Sequence, residues 1–304
     1  MSRIDKYKGI FPAFYACYDD NGEVSPERTR AMARFLIHKG VNGLYVCGSS
    51  GECIYQTKEE RMLTLENVMA EAKGKVTVIA HVAATSTRES VELAKHAAAC
   101  GVDALAAIPP IYFKLPEYSI EQYWKAMIDA TDLDFIIYNI PGTTGYALSM
   151  DLFKRMLTYE KVRGIKNSSM PTQDIERFKR VGGEDFVVFN GPDEQFVSGR
   201  IIGADAGIGG TYSVMPELFL KANELVNAGD IKLAGEVQHA INDVIFGMLG
   251  CHGNMYSVVK EILRIQGVDI GGARLPLSPF TEEDLPLIRR CAQMIEELVS
   301  KYCG

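Results

Sequence analysis

Gly101-Val102-Asp103-Ala104-Leu105-Ala106-Ala107-Ile108 reads as the joint where a helix stops and a strand begins. The same joint occurs at Gly40-Val41-Asn42-Gly43-Leu44, ahead of Tyr45-Val46-Cys47. It occurs again at Gly203-Ala204-Asp205-Ala206-Gly207, ahead of Ile208-Gly209. Each leading glycine follows a helical pattern and fits a left-handed helix cap, which glycine adopts without a Cβ penalty. One such joint is generic to α/β chains; three with similar filler mark a regular repeat.

Helix starts fall where that repeat needs them. Ser25-Pro26-Glu27 places an N-cap ahead of a proline at the first helical position. Thr57-x-x-Glu60, Ser86-x-x-Glu89 and Ser119-x-x-Gln122 read as capping boxes. Between the helices lie eight strand candidates: Gly9–Tyr15, Gly43–Cys47, Val76–Val82, Ala104–Ile108, Phe135–Tyr138, Gly164–Lys166, Phe186–Asn190 and Ala206–Gly209. Their near-continuous apolar runs suit parallel strands buried on both faces. Eight such units predict an α/β fold, a (β/α)8 TIM barrel over residues 1–230. A doubly wound sheet is the rival, but no GxGxxG follows the first strand. Residues 231–304 turn purely helical, with helices expected over 231–250, 255–266 and 282–302. They read as a C-terminal helical extension packed on the barrel, with no linker between the two parts.

A hydrophobic share of 47% permits a sizeable core, and a net charge of −7 argues against a nucleic-acid footprint. No apolar run approaches the roughly 20 residues of a membrane span. Met1–Phe14 lacks the apolar centre of a secretory leader. The seven cysteines are scattered and make no CxxC, and the five histidines show no paired ligand spacing. A cytoplasmic protein with reduced thiols and no metal is the expectation. His252, beside Cys251, reads as a loop or helix-end histidine.

Barrel chemistry gathers at the C-terminal ends of the strands. Reading those ends in order gives Gly48-Ser49-Ser50-Gly51-Glu52, then Tyr112, then Tyr138-Asn139-Ile140-Pro141-Gly142. Lys166 and Ser168 follow, then Asn190-Gly191-Pro192-Asp193-Glu194, then Gly209-Gly210-Thr211-Tyr212. Lys166 and Tyr138 end neighbouring strands, which brings an amine and a phenol to one mouth. A partly desolvated lysine attacks carbonyls, and a phenol beside it can move a proton. Ser49 and Ser50, with their flanking N–H groups, form a carboxylate cradle. Each residue also has a plainer reading. A strand-end lysine is usually a surface charge, Tyr112 usually packs, Glu52 anchors its loop, and Asp193 and Glu194 favour a helix start.

In this order and spacing, these motifs resemble the superfamily of N-acetylneuraminate lyase and dihydrodipicolinate synthase, the class I pyruvate-dependent aldolases. The resemblance covers nearly the whole chain. It implies that Lys166 forms an imine with a 2-oxo acid substrate, so that no metal or organic cofactor is needed. It implies that Tyr138 moves the proton at the breaking bond and that Ser49 and Ser50 hold the carboxylate. It further implies that Tyr112 reaches into a neighbouring subunit's site, in a homotetramer. Ser168, Gly191 and Gly210 join the substrate-binding set.

Two markers point to the N-acetylneuraminate lyase branch. Thr143 stands where the synthases carry an arginine for a substrate carboxylate. Gly191-Pro192-Asp193-Glu194 looks like the Gly-x-Asp-Glu motif whose acids accept hydrogen bonds from a sugar's polyol. Gly210 departs from the serine typical of that branch, a loss that a water could make good. The expectation is cleavage of N-acetylneuraminate to N-acetylmannosamine and pyruvate. An aldolase for another 2-oxo-3-deoxy sugar acid is the alternative, and dihydrodipicolinate synthesis a more distant one. A non-catalytic sensor of pyruvate or sugar acids would need neither Lys166 nor Tyr138.

Overall fold

Eight short parallel strands carry the architecture in a computed structural model that describes residues 4–304. Residues 1–3, which open the stretch read as lacking a leader, lie outside it. The strands are β1 (Gly9–Pro12), β2 (Gly43–Val46), β3 (Thr77–His81), β4 (Ala104–Ala107), β5 (Asp134–Asn139), β6 (Val162–Asn167), β7 (Val187–Asn190) and β8 (Ala206–Gly209). They pair in the order β1-β8-β7-β6-β5-β4-β3-β2. An Ala13–Tyr45 bridge and a 2.8 Å hydrogen bond from Phe14 N–H to the Tyr45 carbonyl join the two ends. The expected (β/α)8 barrel is the observed fold.

The two-residue period of a strand sorts the side chains. Phe11, Tyr45, Ile79, Ala104, Ala106, Ile136, Tyr138, Val187, Phe189, Ala206 and Ile208 fill the barrel interior. Their neighbours Ile10, Leu44, Val78, Leu105, Ile137, Ile165 and Val188 face outward into a larger apolar layer under the helices. Large and small residues alternate inside because the interior of eight strands is only as wide as its side chains. Gly164, on the inner face of β6, shows how tight that fit is: a Cβ there would overlap Val187.

The outer helices are α1 (Pro26–His38), α2 (Lys58–Ala72), α3 (Thr87–Cys100), α4 (Glu117–Asp129), the single turn α5 (Pro141–Thr144), α6 (Met150–Met156), α7 (Gln173–Gly182), α8 (Phe196–Ile202) and α9 (Pro216–Ala228). Helices α10 (Ile231–Leu249), α11 (Met255–Ile265) and α12 (Leu285–Cys303) follow. Helix α10 packs on α9 and α12, and its apolar side belongs to the same layer that covers the barrel.

Local signals were mostly read correctly. Thr57 and Glu60 cap each other's N–H groups, whereas Ser86 makes only its own bond, to Glu89 N–H. Ser119 is not a cap: α4 already begins at Glu117, with the extended Pro116 ahead of it. Gly101 takes the left-handed cap (φ 84°), and Gly40, one residue beyond the cap of α1, has φ 81°. Gly203 also needs positive φ, but at 127° it falls outside the left-handed helical well. Strand β1 stops at Pro12 rather than Tyr15, although single contacts continue beyond it, from Ala13 N–H to the Gly209 carbonyl and from Phe14 N–H to the Tyr45 carbonyl. The helical run matches expectation, except that residues 282–284 form a 3-10 turn before α12.

Interior tightness gives a paired prediction. Gly164→Ala pushes a methyl into Val187 and towards its carbonyl oxygen at 2.7 Å, and should cost roughly 1–3 kcal/mol as overpacking. Gly235→Ala, in α10 with nothing within 4 Å of the new Cβ, should stabilise by up to about 1 kcal/mol. Urea unfolding of both variants checks the contrast; equal effects would contradict a filled barrel.

Candidate active site

Lys166 lies on the inner face of β6 near the top of the barrel, only 4% exposed. Its Nζ is 4.2 Å from the Tyr138 ring centroid and 4.7 Å from that of Tyr45. Tyr138 is its register partner on β5, as Phe189 is on β7. The amine makes no hydrogen bond or ion pair among the described residues. Aromatic faces attract a cation but take no proton from it, so the amine is desolvated without being tied to a carboxylate. Tyr138 meets Tyr45 and His81 edge to face, at 5.8 and 6.2 Å between centroids. Burial, then Arg61, pushes the His81 pKa down to about 3, so its ring is neutral. Its Nδ1 lies 3.1 Å from the Cys47 carbonyl, and its Nε2 is 3.4 Å from Ile108 N–H. That pattern assigns the ring proton to Nδ1.

The alternate positions of the same strands face outward and hold the loops. Asn139 donates to Asn167 at 2.8 Å, and Asn167 to Ser169 at 2.9 Å, while Asn139 accepts from Leu148 N–H. Asn190 donates to the Pro192 carbonyl. These bonds fix the turns that carry Ser168 and Gly191. A Cβ at Gly191 would overlap the Ser168 hydroxyl, so glycine is required where those two turns meet.

After β2 the chain makes a strained cradle. Cys47 (φ 59°) and Glu52 (φ 52°) are both left-handed and bracket Gly48-Ser49-Ser50-Gly51. Such conformations persist only where surrounding contacts impose them. Here Glu52 is fully buried and accepts from Lys260 Nζ on α11 at 2.7 Å and from Arg274 N–H at 2.9 Å. Lys260 also donates to the Gly272 carbonyl. The plainer reading of Glu52, as an anchor, is what the contacts show. The N–H groups of Ser49 and Ser50 bond to nothing among the described residues and are free donors.

All of this surrounds one cavity of about 330 Å3. Ser49, Ser50, Tyr138, Lys166, Ser168, Gly191, Asp193, Glu194 and Gly210 line it, so the structure brings together every predicted site residue but one. Its roof comes from α10 and α11, through Ile245, Leu249, Met255 and Tyr256. Tyr112 is the exception: 92% exposed, at φ 81°, it stacks edge-on against Phe113 outside this cavity. Asp193 and Glu194 differ in kind. Asp193 is 8% exposed, and its Oδ2 accepts from Thr211 N–H and from the Thr211 hydroxyl at 2.7 and 2.6 Å. It caps no helix. Burial raises its pKa to about 6, against those two bonds, which lower it. The Glu194 carboxylate is half-buried and has no partner among the described residues.

The model of the dihydrodipicolinate synthetase family matches residues 6–295. The chain belongs to that family. An N-acetylneuraminate lyase of Mediterraneibacter gnavus is 53% identical over 304 residues, 99% of this chain and 96% of the relative. A catalytic-lysine mutant of the Ruminococcus gnavus sialic acid aldolase superimposes with a TM-score of 0.98 at 53% identity, covering 99% of this chain and all of that one. The N-acetylneuraminate lyase of Fusobacterium nucleatum gives 0.88 at 32% identity, covering 98% and 99%.

Sequence reasoning missed Tyr15, Tyr45, His81, Thr211 and Tyr256. Two of them carried a signal. A histidine ending the apolar run Val78-Ile79-Ala80 keeps the inward parity of Ile79, and Tyr45 shares its strand with the equally inward Gly43. His252 is a loop residue, as read: its N–H and ring both meet Asp284, which also accepts from Gly253 and Thr281. Among the described residues no cluster could hold a metal, and no helix is long and apolar enough to cross a membrane.

Asp193 makes stability depend on pH. A carboxyl with a native pKa of about 6, above its ordinary 3.8, binds its proton more tightly when folded. Its contribution is therefore greatest below pH 4 and falls as pH rises to 6, by on the order of 2–3 kcal/mol. Relative to wild type, Asp193→Asn should gain stability across that window. Urea unfolding between pH 4 and 7 measures the difference, and a constant offset would contradict the assignment.

Proposed function

We propose that the chain is a Schiff-base lyase that cleaves N-acetylneuraminate to N-acetylmannosamine and pyruvate. The observation that carries this reading is one cavity lined by two kinds of group. One is a buried, unpaired lysine beside a phenol; the other is an unpartnered carboxylate, Glu194, beside the committed Asp193. The first suits a 2-oxo acid and the second a neutral polyol, because carboxylates accept hydrogen bonds from hydroxyls and repel a second acid.

The Lys166 amine adds to C2 of the open-chain substrate and water leaves, forming the imine. The Tyr138 phenol gives its proton to the departing hydroxyl as the protonated imine forms, and the resulting phenolate takes the 4-hydroxyl proton as the C3–C4 bond breaks. Its electron pair passes into the protonated imine, which becomes an enamine. N-acetylmannosamine departs as the aldehyde. The enamine takes that proton at C3 from Tyr138, and water then releases pyruvate and the free amine, returning a proton to Tyr138. The imine is the electron sink, so the chemistry calls for no metal or organic cofactor. Ser49 and Ser50 hold the carboxylate; Ser168, Gly191 and Gly210 shape the substrate's bed.

Thr143 supports this branch over synthesis of dihydrodipicolinate. It borders an apolar hollow next to the site, with Ser49, Ile140 and Tyr256, and brings no cation to pair with a second carboxylate. Tyr112, exposed in one chain, serves the neighbouring site of a homotetramer in this reading. Residues 1–230 form the catalytic barrel and 231–304 its extension, in a cytoplasmic protein.

Pyruvate release from a panel of 2-oxo sugar acids tests the proposal. N-acetylneuraminate should be the best substrate, and condensation of pyruvate with aspartate semialdehyde should be negligible. Glu194→Gln should lower kcat/KM on N-acetylneuraminate about tenfold or more, the loss of a charged acceptor. A better sugar acid, efficient condensation, or unchanged specificity in Glu194→Gln would each overturn the substrate assignment.

A further inference from the structure

Tyr15 follows β1, between Phe14, whose N–H bonds to the Tyr45 carbonyl, and Ala16, whose N–H bonds to the Ser50 carbonyl. It is 1% exposed yet lines the cavity. Its ring is held edge-on by Tyr256 of α11, at 5.5 Å and 89°. A Cβ at Gly210 would stand 3.2 Å from the Tyr15 hydroxyl oxygen and 3.4 Å from Ser50 Oγ. The first distance is tighter than ordinary contact, so a side chain at residue 210 would push the phenol aside. Glycine there leaves two hydroxyls, from Tyr15 and Ser50, on one patch of cavity wall beside the free N–H groups of Ser49 and Ser50. The phenol is a lasting donor: burial, then Tyr256 and Asp193, hold its proton affinity well above the usual range, against the Ser50 hydroxyl. No hydrogen bond joins Tyr15 to Asp193, whose Oδ2 accepts from Thr211.

We infer that Tyr15 is a further substrate-binding residue, whose hydroxyl donates to the carboxylate of the 2-oxo acid in the space that Gly210 leaves open. The assignment rests on the imine-forming reading of the same site. The space at Gly210 is then put to use by the protein itself: the Tyr15 hydroxyl stands where a side chain at residue 210 would reach.

Borohydride trapping with pyruvate alone isolates this contact, since pyruvate has no polyol. In Tyr15→Phe the ring stays and only the hydroxyl is lost. The half-saturating pyruvate concentration should rise about tenfold, the weight of one hydrogen bond to a charged group, while the maximal trapping rate stays close to wild type. Gly210→Ala, which keeps Tyr15 but crowds its hydroxyl, should shift half-saturation the same way. The double variant should be no worse than Tyr15→Phe alone, because both changes act through one hydroxyl. Gly210→Ala carries the test if Tyr15→Phe fails to fold. Unchanged half-saturation in a folded variant, a fall in maximal rate alone, or additive losses would overturn the assignment of Tyr15 and leave the imine reading intact. Failure of the wild-type protein to trap pyruvate would bring down both.

Discussion

A lysine amine held among aromatic faces, with no carboxylate in hydrogen-bond or ion-pair contact, is the constraint around which this molecule is arranged. Burying an ionisable amine is costly, and the usual remedy is an ion pair. Lys166 has none. The barrel instead surrounds it with Tyr138, Tyr45 and a neutral His81, which exclude water without contributing a fixed charge. A filled, closed interior makes this possible, because an inward position on one strand is walled by inward positions on its neighbours. The same lysine one residue along β6 would face the outer helices and meet no cavity at all.

The supports of the site are long-range, and they explain why the helices after residue 230 matter to it. The buried Glu52–Lys260 pair ties the serine cradle to α11, and the same helix supplies Tyr256 to the cavity roof. A buried ion pair is a poor source of net stability, since desolvation offsets most of its attraction, but breaking one is expensive. Its effect here is geometric: it holds a left-handed Glu52, and with it the orientation of Ser49 and Ser50. On the far side, Asp193 ties the turn after β7 to the turn after β8 through Thr211. The cavity is thus braced from both flanks before any substrate enters.

Much of this was legible in the sequence because it is periodic or local. The glycine joints, the apolar strand runs and the Thr57–Glu60 box each report on a few consecutive residues, and eight of them in series leave little choice of fold. Lys166 and Tyr138 were legible for the same reason: each ends a strand, and barrel strands end at one face. The family resemblance added roles that position alone does not give. What escaped was contact between distant segments. Nothing near Tyr15 announces Gly210, some 200 residues later, and nothing near Lys260 announces Glu52. The different states of Asp193 and Glu194 were also hidden, because adjacent acids look alike until one of them meets Thr211. Strand ends shifted by a few residues, as at Pro12, beyond which only single bonds to β8 and β2 continue.

The central claim is that the buried amine of Lys166 is the nucleophile, and it is open to one direct measurement. The protein is incubated with pyruvate and borohydride, digested, and its peptides are weighed. The account predicts one modified lysine, at Lys166, carrying the reduced pyruvyl group, and no labelling of Lys166→Ala. Labelling at another lysine, or N-acetylneuraminate cleavage by Lys166→Ala at the wild-type rate, would contradict it.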